Sequence, residues 1–368
     1  MTMNSVEPTK NARIPIFAGA KGFITLTATV HDNVSGALVG IKNPNNKVNT
    51  LPPELWAELG QALDFIESDK KIRFVVFHGT ADRIHAGADV NLFSGGLLAN
   101  ENPPDYECVH DYIDAGANID IQIKKIGKEI PTVSIFQGER FGGSVEWPLM
   151  AEFCVAANDT GISLSEPTIG LVPGWSGILN ILLKSGIQNA LFIGAASARL
   201  TAAQMLDLGI ADCLCTPDAA MENALRLATI PKQRNRPPKA VKRLATEDEL
   251  FAALSPRLDP KRYQRLRDEA SRKKDIPDPK EFNKWIDKRL SDLGKPLAPL
   301  AVEAIFGLIA KHGAGLTLDN LDRVFAMALD EADACNYLMK TYDRVSGIDS
   351  VLKARENPLK KIPVYQRK

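Results

Sequence analysis

Strand signals alternate with helical stretches from Phe23 to about residue 228 and then stop, and this break constrains the fold more than any other feature of the chain. Phe23–Val30 and Ala37–Ile41 carry β-branched and apolar residues around turn signals at Asp32-Asn33 and Ser35-Gly36, the pattern of a hairpin. Pro52-Pro53-Glu54 opens a helix with Leu55, Leu59, Leu63 and Ile66 at near-helical spacing. Further buried-strand signals follow at Phe74–Phe77, Thr132–Phe136 and Phe153–Ala157. Such alternation predicts an α/β domain. Beyond Ile230 only helical periodicity remains, with helices expected over 247–254, 258–272, 279–293, 298–311 and 317–340. The boundaries drawn are an N-terminal arm at 1–22, an α/β core at 23–230, and a basic connection with a helical C-terminal domain at 231–368. The connection carries six basic residues and three prolines between Pro231 and Arg243, which suits an exposed link.

Charge and cysteine content narrow the function. The 45 basic side chains balance 45 acidic ones, so the basic excess usual in nucleic-acid binders is missing. No run approaches the length of a membrane span, and residues 1–21 lack the apolar core of a signal peptide. Cys108, Cys154, Cys213, Cys215 and Cys335 are odd in number and scattered, and Cys213-Leu214-Cys215 reads as one strand with both thiols on one face. The expectation is a cytoplasmic protein without structural disulfides, metal or resident cofactor.

Two glutamates stand out within apolar stretches. Glu146 lies in Phe141-Gly142-Gly143-Ser144-Val145-Glu146-Trp147, and Glu166 follows twenty residues later, ahead of Pro173-Gly174. A carboxylate among such neighbours loses hydration on folding, and its pKa tends to rise toward the range useful for proton transfer. Upstream, Ala86-Gly87-Ala88-Asp89 follows the strand that ends near Gly79, and its small residues permit close approach to the backbone. Two N–H groups from separate loops, converging on one carbonyl oxygen, would make an oxyanion hole.

In that order the motifs resemble the enoyl-CoA hydratase/isomerase, or crotonase, superfamily over residues 23 to 230. The resemblance implies a spiral of ββα turns that binds an acyl-CoA thioester, coenzyme A entering as part of the substrate. It implies oxyanion donors at the Ala88 and Gly143 N–H groups, catalytic carboxylates at Glu146 and Glu166, and coenzyme A contacts from Lys47, Val48, Ala86 and Asp89. Hydratases of the family keep both glutamates and hold one water between them, so the expected reaction is hydration of a 2-enoyl-CoA. Ring-opening hydrolases acting on cyclic oxo-enoyl-CoA, and double-bond isomerases, are the alternatives. The length and ending also resemble 3-hydroxyisobutyryl-CoA hydrolases, but those carry an aspartate at the place of Gly174 and no glutamate at that of Glu146. Tyr342–Leu352 looks like the family's closing helix. Trp147 and Trp175 could line an acyl pocket or fill core, and His85 abuts the first oxyanion segment. The family's habit of pairing terminal helices implies a homotrimer or homohexamer, with Leu318, Leu321, Val324, Phe325, Ala328 and Leu329 as the apolar stripe.

Overall fold

The computed structural model describes residues 14–45, 49–79, 87–230, 246–273 and 278–366. Its strands, in chain order, are β1 Ile14–Ala18, β2 Ile24–His31, β3 Val34–Ile41, β4 Thr50–Leu51, β5 Val75–His78, β6 Gly87–Ala88, β7 Thr132–Phe136, β8 Glu139–Phe141, β9 Phe153–Ala157, β10 Gly161–Ser163, β11 Leu200–Thr201 and β12 Cys213–Cys215. Its helices are α1 Pro53–Ser68, α2 Tyr106–Glu129, α3 Gly143–Leu149, α4 Gly177–Ser185, α5 Ile187–Ala195, α6 Ala202–Asp207, α7 Ala220–Thr229, α8 Glu247–Leu258, α9 Pro260–Arg272, α10 Pro279–Leu293, α11 Pro299–His312, α12 Leu321–Leu338 and α13 Tyr342–Leu352. Strand, strand and helix recur as β5-β6-α2, β7-β8-α3 and β9-β10-α4, the ββα order of a mixed α/β fold with a helical C-terminal part.

The chain sorts into two compact units by contact rather than by chain order. The first comprises Met1–Ala88, Ala115–Ile162 and Leu200–Lys242; the second comprises Asp89–Asp114, Ser163–Arg199 and Arg243–Lys368.

A seven-stranded sheet in the order β1-β2-β3-β5-β7-β9-β12 forms the frame of the first unit. β1, β2 and β3 pair antiparallel, whereas β3, β5, β7, β9 and β12 run parallel. Val133, Ile135, Phe153 and Val155 pack with Ala220, Ala224 and Ala228 of α7, whose small residues let the helix lie close to the sheet. β8 and β10 leave this sheet and join β11 in a second one of three strands. The loops that carry the glycine motifs therefore follow the carboxyl ends of parallel strands β5 and β7, where open α/β sheets commonly bind ligands.

Two local expectations change. Residues 14–18, placed in an irregular arm, form an edge strand on β2. Pro15 is tolerated there because an edge strand need not donate on its outer side. The hairpin turns at Asp32-Asn33 alone, both with positive φ, so Ser35 and Gly36 lie inside β3. Gly36 is a packing residue: a Cβ there would sit 2.4 Å from the Phe74 ring.

The second unit is helical. Tyr263, Leu266 and Ala270 of α9 pack with Ile286 and Leu290 of α10 and with Ile362. Glu331 of α12 is fully buried and accepts from the Ile178 N–H at 2.9 Å and the Leu179 N–H at 3.0 Å, so its carboxylate closes the N-terminus of α4. No helix among the described residues is long and apolar enough to cross a membrane.

Candidate active site

In the first unit, asparagines shape the early loop. Asn43 donates through Nδ2 to the Thr50 carbonyl at 2.9 Å, accepts from the Asn45 N–H at 3.0 Å, and donates its own N–H to Asn49 Oδ1. Beyond it, Thr50-Leu51 pair parallel with Gly87-Ala88. Lys47, Val48, Ala86 and His85 lie outside the described residues.

Gly87 then brings the two glycine motifs together. Its φ is +76°, and a Cβ there would meet Ser144 N at 2.7 Å and both Gly143 N and Phe141 O at 3.0 Å. Any side chain would collide with main chain, so only glycine lets β6 rest on the first turn of α3. Ala88 and Gly143 are thereby placed on neighbouring backbone segments. The opening N–H groups of a helix have no carbonyl one turn behind them to bond. Ser144 Oγ fixes the approach by accepting from the Phe141 N–H and donating to the Phe141 carbonyl, both at 2.8 Å. Glu146 follows Gly143 by three residues on α3 and is only 3% exposed. The far end of α3 is tied by Ser134 Oγ, which donates to the Pro148 carbonyl at 2.6 Å.

Arg140 of β8 carries a charge that sequence reasoning missed. It is 2% exposed, with its guanidinium 5.7 Å from the Phe136 ring centre and 5.9 Å from that of Trp147. Burial pulls its pKa down to about 10 against the opposing pull of Asp159, so it is still a cation at neutral pH. Its Nε donates to the Gln137 carbonyl at 3.2 Å and Nη1 to the Ser144 carbonyl at 3.3 Å.

Glu166 belongs to the second unit. It opens the 3₁₀ turn Glu166–Ile169 and is 8% exposed. The C-terminal helices clamp that turn. Gly170, at φ +83°, abuts α13 so closely that a Cβ would sit 2.4 Å from the Asp343 carbonyl carbon, and one on Gly347 would sit 2.2 Å from the Ile169 carbonyl. The Tyr365 hydroxyl donates to the Thr168 carbonyl at 2.5 Å, and the Ala298 N–H to that of Pro167 at 2.8 Å.

Arg344, also buried, donates through Nη1 to the carbonyls of Phe93 (3.2 Å) and Gly95 (2.5 Å) and through Nη2 to that of Gly96 (3.3 Å). Trp175 is core, its ring edge-on to Tyr112 at 5.1 Å, and Trp147 is buried beside Arg140. Asp89 caps its own turn, accepting from the Asn91 N–H at 3.0 Å and Asn91 Nδ2 at 2.8 Å.

The family model for enoyl-CoA hydratase/isomerase matches residues 39–362, most of the chain. The protein belongs to that family. Its fold is similar to the crystal structure of an enoyl-CoA hydratase from Rhodobacter sphaeroides 2.4.1, with a TM-score of 0.60 and 17% identity over 93% of this chain and 92% of that one. It also matches an enoyl-CoA hydratase from Bacillus anthracis, with a TM-score of 0.47 and 18% identity over 94% of this chain and 100% of the other. Membership makes this an acyl-CoA-processing enzyme of the crotonase type.

Proposed function

We propose that the enzyme adds water across the double bond of a 2-enoyl-CoA. The observation that carries this reading is the approach of Gly87 to the Gly143 and Ser144 amides, with Glu146 buried three residues further along. In the proposed reaction the thioester carbonyl oxygen accepts from the Ala88 and Gly143 N–H groups. Attack of water oxygen at Cβ forms the C–O bond and drives the double-bond pair toward Cα, leaving negative charge on the thioester oxygen. Donors fixed before the reaction stabilise that charge without reorganising, and each contributes about 100- to 1000-fold in rate. Glu146 and Glu166 serve as the acid–base groups, taking the proton that water loses and supplying one to Cα.

Lys47, Val48, Ala86 and Asp89 are proposed to contact coenzyme A, which enters only with the substrate. The proposed assembly is a homotrimer or homohexamer. In its support, Leu318 and Leu329 of the apolar stripe are exposed, while Val324 and Ala328 are core. Sedimentation at micromolar concentration tests it, and a fully active species at the 40.2 kDa chain mass would overturn it.

The reaction itself is tested by incubating the protein with linear and cyclic enoyl-CoA thioesters and reading products by mass. Hydration predicts a gain of one water with any ring intact. A second water with an opened ring would replace this reading with hydrolysis, and a product of unchanged mass would replace it with isomerisation.

A further inference from the structure

The sixth residue of α3 is Pro148. In an α-helix the carbonyl of one residue accepts from the N–H four residues on, and proline has none to give. The carbonyl that loses its helical donor is therefore that of Ser144, a fully buried residue in the first turn. A buried carbonyl left unmet is costly, so native structures find it another donor. Here that donor is Arg140 Nη1, while Nε of the same planar group holds the Gln137 carbonyl. The two bonds bracket the segment from Gln137 to Ser144, which includes Gly143. The Phe136 and Trp147 rings flank the guanidinium and limit its movement.

We infer that Arg140 is the positioning residue of this site: it stands in for the hydrogen bond that Pro148 removes and so sets the angle at which α3 presents the Gly143 N–H and Glu146. A normal helical bond from residue 148 would satisfy Ser144 without reference to anything outside α3. The Arg140 bond instead ties the helix entry to β8 and the end of β7. The consequence for turnover rests on the functional reading above; the consequence for α3 does not.

The test uses the full chain with Arg140→Met, Arg140→Lys, Pro148→Ala and the double variant Arg140→Met/Pro148→Ala. Two readouts are taken: kcat and KM per folded molecule, and hydrogen exchange of the peptide covering residues 141–150. Arg140→Met is expected to speed exchange in that peptide and to lower kcat about 10- to 100-fold, as small misplacements of catalytic groups do, with KM within about threefold. Restoring an N–H at 148 gives the Ser144 carbonyl its helical donor back, so the double variant should recover slow exchange and about tenfold of the lost kcat. Arg140→Lys should fall between, since a single ammonium lacks the fork that reaches two carbonyls.

Unchanged exchange or unchanged kcat in Arg140→Met overturns the inference, as does a double variant no better than the single one. Should Arg140→Met fail to fold, Arg140→Lys with and without Pro148→Ala makes the same comparison. If the unaltered protein hydrates no enoyl-CoA, the functional reading fails, and the exchange data still decide the role of Arg140.

Discussion

The turns that carry Glu146 and Glu166 are built with the same devices, drawn from very different distances along the chain. Each carboxylate sits on a short helical turn, each turn is overlaid by backbone at a glycine, and each neighbourhood contains a buried arginine bonded to main-chain carbonyls. Around Glu146 the bonds and contacts described above come from residues 134–148 and from Gly87. Around Glu166 it comes from Ala298, Asp343, Gly347 and Tyr365, more than a hundred residues downstream. A site made of local pieces forms when its own loop forms. One clamped by distant helices forms only when those helices have docked, so its geometry depends on the stability of the C-terminal part.

The largest expected effects come from the carboxylates themselves. Glu146→Gln and Glu166→Gln keep side-chain size but remove proton exchange, and each should lower turnover about 100- to 10,000-fold while leaving the melting temperature unchanged. Both are measured on one substrate. If Glu146→Gln stays within about threefold of the unaltered enzyme and Glu166→Gln does not, a one-base reaction such as isomerisation displaces hydration.

The glycines sharpen the contrast between near and far construction. Gly87→Ala forces a Cβ against the amides of α3 and, if the Gly143 N–H is the oxyanion donor proposed above, should lower kcat about 100-fold by moving it, at a stability cost of about 1–3 kcal/mol. Gly347→Ala forces a Cβ into the Ile169 carbonyl, so the same 1–3 kcal/mol or so should appear as a loss of stability accompanied by lower turnover through Glu166. Thermal unfolding beside steady-state kinetics separates the two. A Gly347→Ala protein with normal melting and normal kcat would show that α13 does not hold the Glu166 turn.

Much of the fold was legible because its signals are local. Residues 279–293 read as a helix from their periodicity, and the structure adds an Asp278 side-chain cap and Pro279 in the first turn. Tyr342–Leu352, read from its resemblance to the family's closing helix, is helical over those residues. Strands β7 and β9 match their apolar runs residue for residue. Features that depend on a distant partner were not legible. Gly36 looked like a turn residue because nothing nearby in the chain reveals that the Phe74 ring presses on it. The 166–170 turn was visible as a motif, but no local pattern marks Asp343, Gly347 or Tyr365 as its supports. Arg140 is intermediate. Pro148 stands four residues beyond Ser144 in plain sight, yet the missing donor matters only once residues 143–149 are known to be helical.

Arg344 offers a smaller test of the distant construction. Arg344→Lys keeps the charge but loses the planar fork that spans the carbonyls of Phe93, Gly95 and Gly96. The buried carbonyls left unmet should cost about 1–3 kcal/mol, read as a lowered denaturant midpoint with an unchanged slope. An unchanged midpoint would mean that water or another donor replaces the guanidinium there.

The smallest effect is expected at Asp89, where the chain passes from the first unit to the second. The resemblance assigns this residue to coenzyme A, whereas in the structure its carboxylate accepts from the N–H and Nδ2 of Asn91 and caps the turn Val90–Phe93. Asparagine caps such turns nearly as well as aspartate, because its side-chain oxygen accepts the same bond. Asp89→Asn therefore distinguishes the two roles. If capping is the whole of its work, stability should change by no more than about 0.5 kcal/mol and KM for the thioester by less than about twofold. If the negative charge contributes to holding coenzyme A, KM should rise about tenfold while kcat holds, the pattern of lost uniform binding. A fall in kcat without a change in KM would fit neither role. It would point instead to the adjoining Ala88 N–H, the proposed oxyanion donor.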